Sequence, residues 1–370
     1  MKRLQAYKFL IEPNGQQQRA MRSIAGSCRY VWNKALARQI ENHKDGGKFI
    51  HHFAMCKWLP VWKKEPDTLW LKDTPSQLFQ VVLKDLVRAY KNFFDKRADF
   101  PSFKKKTGSS RFCFPQGCEL DQGNSRIKLP KLGWIRYRKS RAIEGVIKNI
   151  TVSCVCGKWY ASIQTEREVP QPVPVATTAI GIDVGITRFA TMSDGRFIAP
   201  LNSFKKHQQR LARYQRRMSR KVKFSNNWTK EKAKVQKTHT CIANARKDFL
   251  HKTTTTISQN HALVCLEDLQ IKNMSRSSKG NSKQHGKRVR QKAGLNRAIL
   301  DQGWGEFRRQ LAYKMAWNGA ILLAVPAHHT SQTCPCCGHV AQENRVKQAE
   351  FLCVDCGYGE NADVVAAINV

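Results

Sequence analysis

The sequence lacks any run of about 18 apolar residues, the length that a membrane-spanning helix requires. Its longest apolar runs, such as Ala320–Val325, have the length of a strand. Residues Met1–Lys8 contain no hydrophobic signal core, and the thirteen cysteines are an odd number that does not suit a disulfide framework. These absences favour a reduced cytoplasmic or nucleoid setting with a metal site over a disulfide framework.

Acidic residues are scarce, with 27 Asp and Glu against 65 Lys and Arg, for a formal net charge of +38. Solubility needs far less charge than this, so we infer a polyanionic partner, with nucleic acid ahead of a membrane surface. Two segments have no acid at all. Residues 204–223 predict a helix that follows phosphates, and residues 272–293 predict a mobile basic loop.

The chain from residue 3 to residue 174 divides by its hydrophobic period. Residues 3–12 alternate like a strand, and residues 16–97 then show helical spacing in two long segments. Residues 100–167 contain five short β-type runs separated by turn residues, a spacing typical of a small barrel. We expect the first strand to join that barrel, so that the helical unit is an insertion. Residues 170–174, rich in proline, predict a domain boundary.

One aspartate, Asp183, lies within an apolar run that predicts a buried strand, Ala179–Ile186. A buried carboxylate costs several kcal/mol of desolvation free energy unless a basic partner or a metal compensates it. Taken alone, such an aspartate is more often structural than a metal ligand. A second predicted strand, His261–Glu267, also ends in an acid, with Asp268 beside it. Because side chains alternate in a strand, only one of these two acids can face the site.

The element order from Ala179 onward is that of an RNase H-like fold: short strands, helices, the strand ending in Glu267, a helix and a further strand. The last residues, 359–370, predict a helix with Asp363 near its start, where negative charge is favoured. In such a fold, acids on two strands and a helix converge on two divalent metals. Carboxylates suit Mg²⁺ because it prefers hard oxygen ligands. Three unrelated acids are the alternative interpretation.

Four cysteines form a second candidate site at the spacing C-x2-C-x15-C-x2-C, with a glycine after each pair. They are Cys334, Cys337, Cys353 and Cys356. This spacing matches a zinc ribbon or treble clef, in which four thiolates hold one structural Zn²⁺ and leave no open position for chemistry. Cys336 and His339 are the alternative ligands beside the first pair.

Several motifs in combination resemble the TnpB family, proteins encoded by insertion sequences and related to type V CRISPR effectors. The motifs are Ile180–Ile186 (IGIDVGI), Arg246–Lys252, Leu266–Leu269, Thr330–Gly338, Cys353–Tyr358 and Asn361–Asn369. The similarity extends almost end to end. Two departures are Ala362, where some relatives have a basic residue, and the last residue, Val370, beyond which many relatives continue. Neither departure removes a predicted ligand.

The resemblance implies an RNA-guided DNA endonuclease. Such a protein binds a guide RNA from the transposon end, recognises a short transposon-associated motif on double-stranded DNA, and cuts the opened strands at a RuvC-like site. By motif, Asp183, Glu267 and Asp363 take the role of catalytic acids that bind two Mg²⁺, with Mn²⁺ as an alternative ion. The four cysteines take the role of a zinc-bearing, nucleic-acid-binding insert. We expect a monomeric protein within a ribonucleoprotein, with no membrane partner.

The predicted fold class is a multidomain protein with α/β and all-β parts. An RNase H-like (RuvC) core carries a zinc-ribbon insert, and an N-terminal β-barrel (wedge) is interrupted by a helical recognition domain. The predicted boundaries are 1–15 and 98–172 for the barrel, 16–97 for the helical domain, 173–330 and 358–370 for the core, and 331–357 for the insert.

Two other functions use the same residues. A transposase could perform strand transfer through the three acids, since a fold alone does not fix the reaction. A guided repressor without nuclease activity would be expected to lack one acid, and all three are present.

Overall fold

The computed structural model describes residues 1–106, 110–281, 284–345 and 347–370. The chain divides into two compact units, Met1–Pro170 and Gln171–Val370, and the division falls in the segment rich in proline. Within the described ranges, no helix is long and apolar enough to cross a membrane.

The first unit contains a seven-stranded antiparallel sheet. Its strands are β1 (Lys2–Glu12), β2 (Ser110–Phe114), β3 (Glu119–Asp121), β4 (Arg126–Leu129), β5 (Gly133–Tyr137), β6 (Val146–Val155) and β7 (Lys158–Glu168), in the order β2-β6-β7-β1-β5-β4-β3. Strand β1 pairs with β7 from Lys2 to Ile11, and its end pairs with β5. The first strand therefore lies inside this sheet, as predicted. The described pairing leaves β2 and β3 at opposite ends, so it does not close the predicted barrel.

The helices of this unit lie between β1 and β2 in the chain. They are α1 (Gly15–Lys44), α2 (His52–Cys56), α3 (Trp58–Trp62), a 3-10 segment (Pro66–Asp73) and α4 (Ser76–Phe94). A capping box starts α1: Asn14 Oδ1 accepts from the Gln17 amide at 2.8 Å, and Gln17 Oε1 accepts from the Asn14 amide at 3.0 Å. One apolar core joins these helices to the sheet, with Leu36 and Phe79 fully buried.

The second unit is built on a five-stranded mixed sheet. Its strands are β8 (Ala179–Asp183), β9 (Ala190–Met192), β10 (Phe197–Ile198), β11 (Leu263–Glu267) and β12 (Ile321–Val325), in the order β10-β9-β8-β11-β12. Strands β8, β11 and β12 run parallel, while β9 and β10 are antiparallel. The two crossovers between the parallel strands contain helices, which cover an apolar core that includes Phe189, Phe307 and Leu311.

The helices of the second unit that precede β12 are α5 (Ser203–Ser219), α6 (Asn226–Asn260), α7 (Ile271–Met274), α8 (Val289–Gln302) and α9 (Trp304–Trp317). The prediction of a basic loop over residues 272–293 is wrong at both ends, because α7 extends to Met274 and α8 begins at Val289. Residues 282 and 283 lie outside the described ranges. The basic charges concealed the helical period there. The predicted helix at 204–223 is shorter in the structure and ends at Ser219.

A buried carboxylate holds α5 in place. The side chain of Asp301 on α8 accepts hydrogen bonds from the amides of Phe204 (2.9 Å) and Lys205 (3.3 Å), from the Ser203 hydroxyl (3.2 Å) and from Arg246 (2.9 Å). Its side chain is 4 % exposed. The carboxylate thus accepts from amides at the start of α5 that would otherwise have no partner.

The end of the chain forms a small hairpin and a helix. Strands β13 (Glu350–Leu352) and β14 (Gly359–Asn361) pair antiparallel, and α10 (Ala362–Asn369) follows directly. Helix α10 lies so close to β8 that a Cβ atom at Gly181 would be 2.0 Å from the Ala367 carbonyl oxygen. Glycine at position 181 is therefore required for this approach.

Candidate functional site

Asp183 and Glu267 end two neighbouring parallel strands. Strands β8 and β11 are paired with Ile182 opposite Leu266, and the two acids are the next residues on each strand. They therefore lie side by side at the carboxyl ends of the strands, which is where open α/β sheets bind their ligands.

Asp363 reaches the same region from α10. The side chain of Asn361 caps that helix by accepting from the Asp363 amide at 3.1 Å, which places Asp363 in the first turn. The close approach at Gly181 brings α10 against the strand that ends in Asp183. The structure thus assembles three acids that lie up to 180 residues apart in sequence (363 − 183 = 180).

The electrostatics show that the three carboxylates interact. The pKa of Asp183 is raised to about 7, chiefly by burial and further by the negative charges of Glu267 and Asp363, against a smaller lowering by Arg345. Burial also raises the pKa of Glu267, opposed by a hydrogen bond from the Thr330 hydroxyl to Glu267 Oε1 at 2.8 Å. Asp183 and Glu267 therefore resist ionisation in the absence of a cation. A divalent metal would favour their charged forms.

The neighbouring acid Asp268 has a different environment. Its side chain is 45 % exposed and forms an ion pair with Arg308. The charges that raise the pKa of Asp183 are those of Glu267 and Asp363. Glu267 and Asp268 therefore have different surroundings, and the choice of Glu267 as the site residue stays a prediction.

Two residues near the acids were not predicted as site residues, although one of them, Thr330, begins the motif Thr330–Gly338. Thr330 is buried and donates to Glu267, and Arg345 places a positive charge near Asp183. Both lie in irregular segments, where neither period nor spacing identifies a position. Asn369 on α10 donates to the carbonyls of Thr330 (2.7 Å) and Thr333 (2.8 Å), so the helix and the segment before Cys334 are directly joined.

The four predicted cysteines converge on one point. The Sγ atoms of Cys334, Cys337, Cys353 and Cys356 all lie within 4.8 Å of one another. Two of the separations are 3.6 Å, between Cys334 and Cys356 and between Cys337 and Cys353. A regular tetrahedron with Zn–S bonds of about 2.3 Å has S–S edges of about 3.8 Å. The donor set therefore fits a tetrahedral Zn²⁺ ion, and neither Cys336 nor His339 belongs to it.

Backbone turns hold the two cysteine pairs. Gly338 and Gly357 follow the pairs with φ of 77° and 74°, a left-handed conformation that favours glycine. Their amides donate to the carbonyls of Cys334 (2.9 Å) and Cys353 (3.0 Å). Buried Asn344 joins the two halves, since it donates to the His339 carbonyl and accepts from the Val354 amide.

The three acids do not form a comparably tight group. Among the described residues, the four thiols are the one set of three or more potential metal ligands whose donor atoms all lie within 4.8 Å of one another. Wider spacing suits a pair of cations better than one, because each metal of a two-metal site needs only some of the carboxylates. The oxygen donors fit Mg²⁺ or Mn²⁺ by chemical type.

A basic surface accompanies these sites. Residues 195–230 contain eleven Lys and Arg and no acid. Within the described ranges, no residue of α5 takes part in an ion pair, and Arg213, Arg216 and Arg217 are exposed. Uncompensated charge of this kind suits a phosphate backbone.

The fold and its sites define a mixed α/β protein with a carboxylate cluster at the strand ends and a four-thiol cluster beside it. Three families match parts of the chain: one described as "Probable transposase" over residues 162–278, a "Cas12f1-like, TNB domain" over 304–370, and a "Helix-turn-helix domain" over 1–48. Over 1–48 the structure has a strand and one long helix, α1.

Two similar proteins match this chain over almost its whole length. The chain is 58 % identical over 370 residues to "Putative RNA-guided DNA endonuclease InsQ" of Escherichia coli (strain K12), covering 100 % of this chain and 92 % of that protein. It is 31 % identical to a "Putative RNA-guided DNA endonuclease" of Streptomyces pristinaespiralis, covering 99 % and 88 %. The chain belongs to the TnpB family.

A solved structure has the same fold. In a cryo-EM structure of a Cas12f1-sgRNA-target DNA complex, the matched protein is 12 % identical to this chain, with a TM-score of 0.57 and coverage of 100 % of this chain and 98 % of that one. At this identity the match shows the fold alone.

Proposed function

We propose that this protein is an RNA-guided DNA endonuclease. The observation that carries the proposal is the meeting of Asp183, Glu267 and Asp363 at the strand ends, with burial and mutual repulsion raising the pKa of Asp183. Membership of the TnpB family, whose relatives bear the name RNA-guided DNA endonuclease, supports the same activity.

The three carboxylates would hold two divalent cations, Mg²⁺ or Mn²⁺, in an RNase H-like (RuvC) core. Bound there, the cations would supply Lewis-acid stabilisation of the charge that develops on the phosphodiester. Glu267 is kept in place by Thr330, and Asp363 by the docking of α10 on β8. Arg345 offers positive charge beside Asp183, where a scissile phosphate would lie.

The thiol cluster would hold one structural Zn²⁺ within an insert spanning about 331–357. With all four positions occupied by sulfur, it has no open position and no part in the reaction. Its contribution is to position α10, which follows β14 without a linker and carries Asp363. We propose that this insert also contacts nucleic acid.

The remaining charge would bind RNA and DNA. The net charge of +38 suits a protein that holds a folded guide RNA and an RNA–DNA heteroduplex, while base pairing supplies the sequence. We assign the sheet of the first unit to a wedge domain (1–15 and 98–172) and its helices to a recognition domain (16–97). Recognition of a transposon-associated motif on duplex DNA, a monomeric state and a place in the cytoplasm remain predictions.

The deciding experiment begins by sequencing the RNA that purifies with the protein. Target DNA matching that RNA is then offered with Mg²⁺, with and without the RNA. We expect cleavage only when the RNA, the matching target and the metal are all present. Binding without any cleaved product would instead favour a guided repressor.

The family description "Probable transposase" supports a second candidate, strand transfer by the same acids. That function predicts cutting or joining at transposon ends without RNA. The same reactions therefore separate the two, since only one of them depends on the guide.

A further inference from the structure

The turn between α5 and α6 exposes apolar side chains at the end of a basic hairpin. We call residues Arg220–Trp228 the hairpin tip. Val222 is 80 % exposed and Phe224 is 68 % exposed. The tip lies within the stretch 195–230 that has no acidic residue. Exposed apolar groups set among uncompensated cations are typical of a binding surface.

The backbone of Phe224 supports this interpretation. Its φ of 70° lies in the left-handed region, which favours glycine and is rare for a bulky residue. Burial of the ring does not compensate, because most of it faces solvent. An aromatic side chain held out at such a position points to a use outside the fold.

Cations surround the aromatic rings of the tip. The ring of Phe224 lies 5.4 Å from that of Trp228 at an interplanar angle of 59°. Lys223 Nζ is 5.3 Å from the Phe224 ring centroid, and Lys232 Nζ is 4.9 Å from that of Trp228. Each ring therefore has a cation beside it, the combination that binds single-stranded nucleic acid through base stacking and phosphate contacts.

A purely structural role explains only part of this. Phe224 precedes the N-cap Ser225, whose hydroxyl accepts from the Trp228 amide at 3.2 Å, so the ring contact resembles a hydrophobic staple at the start of α6. A staple needs an apolar side chain of sufficient size, and leucine would serve. It requires neither the exposed ring face nor the flanking lysines.

We propose that the hairpin tip stacks against an unpaired base of the bound RNA. Phe224 is the platform, Trp228 supports it, and Arg220, Lys221 and Lys223 neutralise the adjoining phosphates. The inference rests on the proposed function in taking RNA as the resident partner. RNA is favoured over DNA because folded RNA presents unstacked bases in loops and bulges, whereas target DNA arrives as a stacked duplex.

The test uses the full chain freed of co-purified RNA and a single-stranded RNA of about 12 nucleotides with a central 2-aminopurine. We expect wild-type protein to quench the fluorescence of the probe, and Phe224→Ala to raise the Kd about tenfold.

Phe224→Leu keeps an apolar side chain that can act as a staple, and it should bind the RNA as weakly as the alanine variant. Phe224→Tyr keeps the aromatic face and should bind within about twofold of wild type. Val175→Ala, at a 98 % exposed position directly after the segment rich in proline, is the control and should leave the Kd unchanged.

Two outcomes would overturn the inference. If Phe224→Leu binds the RNA as tightly as wild type, the Phe224 ring serves only as a hydrophobic staple. Equal quenching of the same sequence as DNA would make a displaced DNA strand the partner. Guided cleavage by wild type is measured on the same preparation. Its absence would remove the proposed function and leave the stacking result standing, whereas normal cleavage with no effect of Phe224→Ala would remove only this inference.

Discussion

The thiol cluster and the carboxylate cluster differ in how the chain builds them. The thiols come from two short motifs 15 residues apart, and the structure draws all four Sγ atoms within 4.8 Å. The carboxylates come from two strands and a helix; burial raises the pKa of Asp183 and of Glu267, and the charges of Glu267 and Asp363 add to the rise at Asp183. The first arrangement is closed and serves the fold. The second is only partly compensated, by Thr330 at Glu267 and by Arg345 at Asp183, which suits the reactive site that we propose.

The thiol cluster should fail most severely when one ligand is removed. We expect Cys353→Ser to lose the zinc and the order of the insert, since structural zinc contributes about 10–16 kcal/mol in small zinc domains. Metal content by mass spectrometry and protease sensitivity near residues 331–361 would show this. The exposed Cys336→Ser should retain one zinc per chain. Zinc lost equally from both variants would contradict the assignment of ligands.

Removing one acid should abolish the reaction and spare the fold. We expect Asp183→Asn to lower guided cleavage by about three orders of magnitude or more, because metal assistance is worth several kcal/mol and 1.36 kcal/mol is tenfold. Guided DNA binding should survive in a mobility-shift assay. Asp268→Asn, one residue beyond Glu267, loses only an exposed ion pair and should still cut. Guided cleavage by Asp183→Asn at the wild-type rate would contradict the assignment of Asp183 as a catalytic residue.

Asp301 is a buried carboxylate whose hydrogen-bond donors all come from the protein itself. Replacing it with alanine leaves Arg246 and two amides of α5 without their partner. We expect a loss of about 3–5 kcal/mol in the free energy of unfolding, measured in urea. Asp248→Ala removes an exposed pair with Lys252 and should cost about 1 kcal/mol or less. Similar losses in the two variants would mean that burial does not distinguish these acids.

The smallest effect concerns pH. Because the folded protein raises the pKa of Asp183 from 3.8 to about 7, its protonated form adds stability at low pH that is lost as the pH rises through 7. Asp183→Asn is neutral throughout. Without Mg²⁺, it should melt a few degrees above wild type at pH 8, and the gap should narrow at pH 5. Mg²⁺ should stabilise wild type more at pH 8 than at pH 5; a gap independent of pH would contradict the raised pKa.

The sequence predicted both clusters for different reasons. Spacing alone identified the four cysteines, because their geometry is local. Asp183, Glu267 and Asp363 were found from element order, the position of each acid within its element and the family resemblance, and assignment of their chemistry remains a proposal. Thr330 and Arg345 were missed because tertiary folding alone brings them to the acids.

The fold was predicted best where the hydrophobic period was strong. The period revealed α1, α4 and the parallel strands, with ends that differ by a few residues. It failed for α8, whose polar and basic residues resemble a loop, and for β3, which has three residues. Barrel closure depends on long-range pairing that no local pattern specifies. Among the described residues, β2 and β3 are the two end strands of the sheet.

The distance in sequence between the acids has a consequence for synthesis. At about 5–20 residues per second, the ribosome needs about 9–36 s to pass from Asp183 to Asp363, 180 residues later (363 − 183 = 180). Throughout that time the nascent chain has exposed basic segments that can already bind RNA, but the carboxylate cluster is incomplete. On the proposed function, a chain still being translated can therefore acquire its guide before it can cut any DNA.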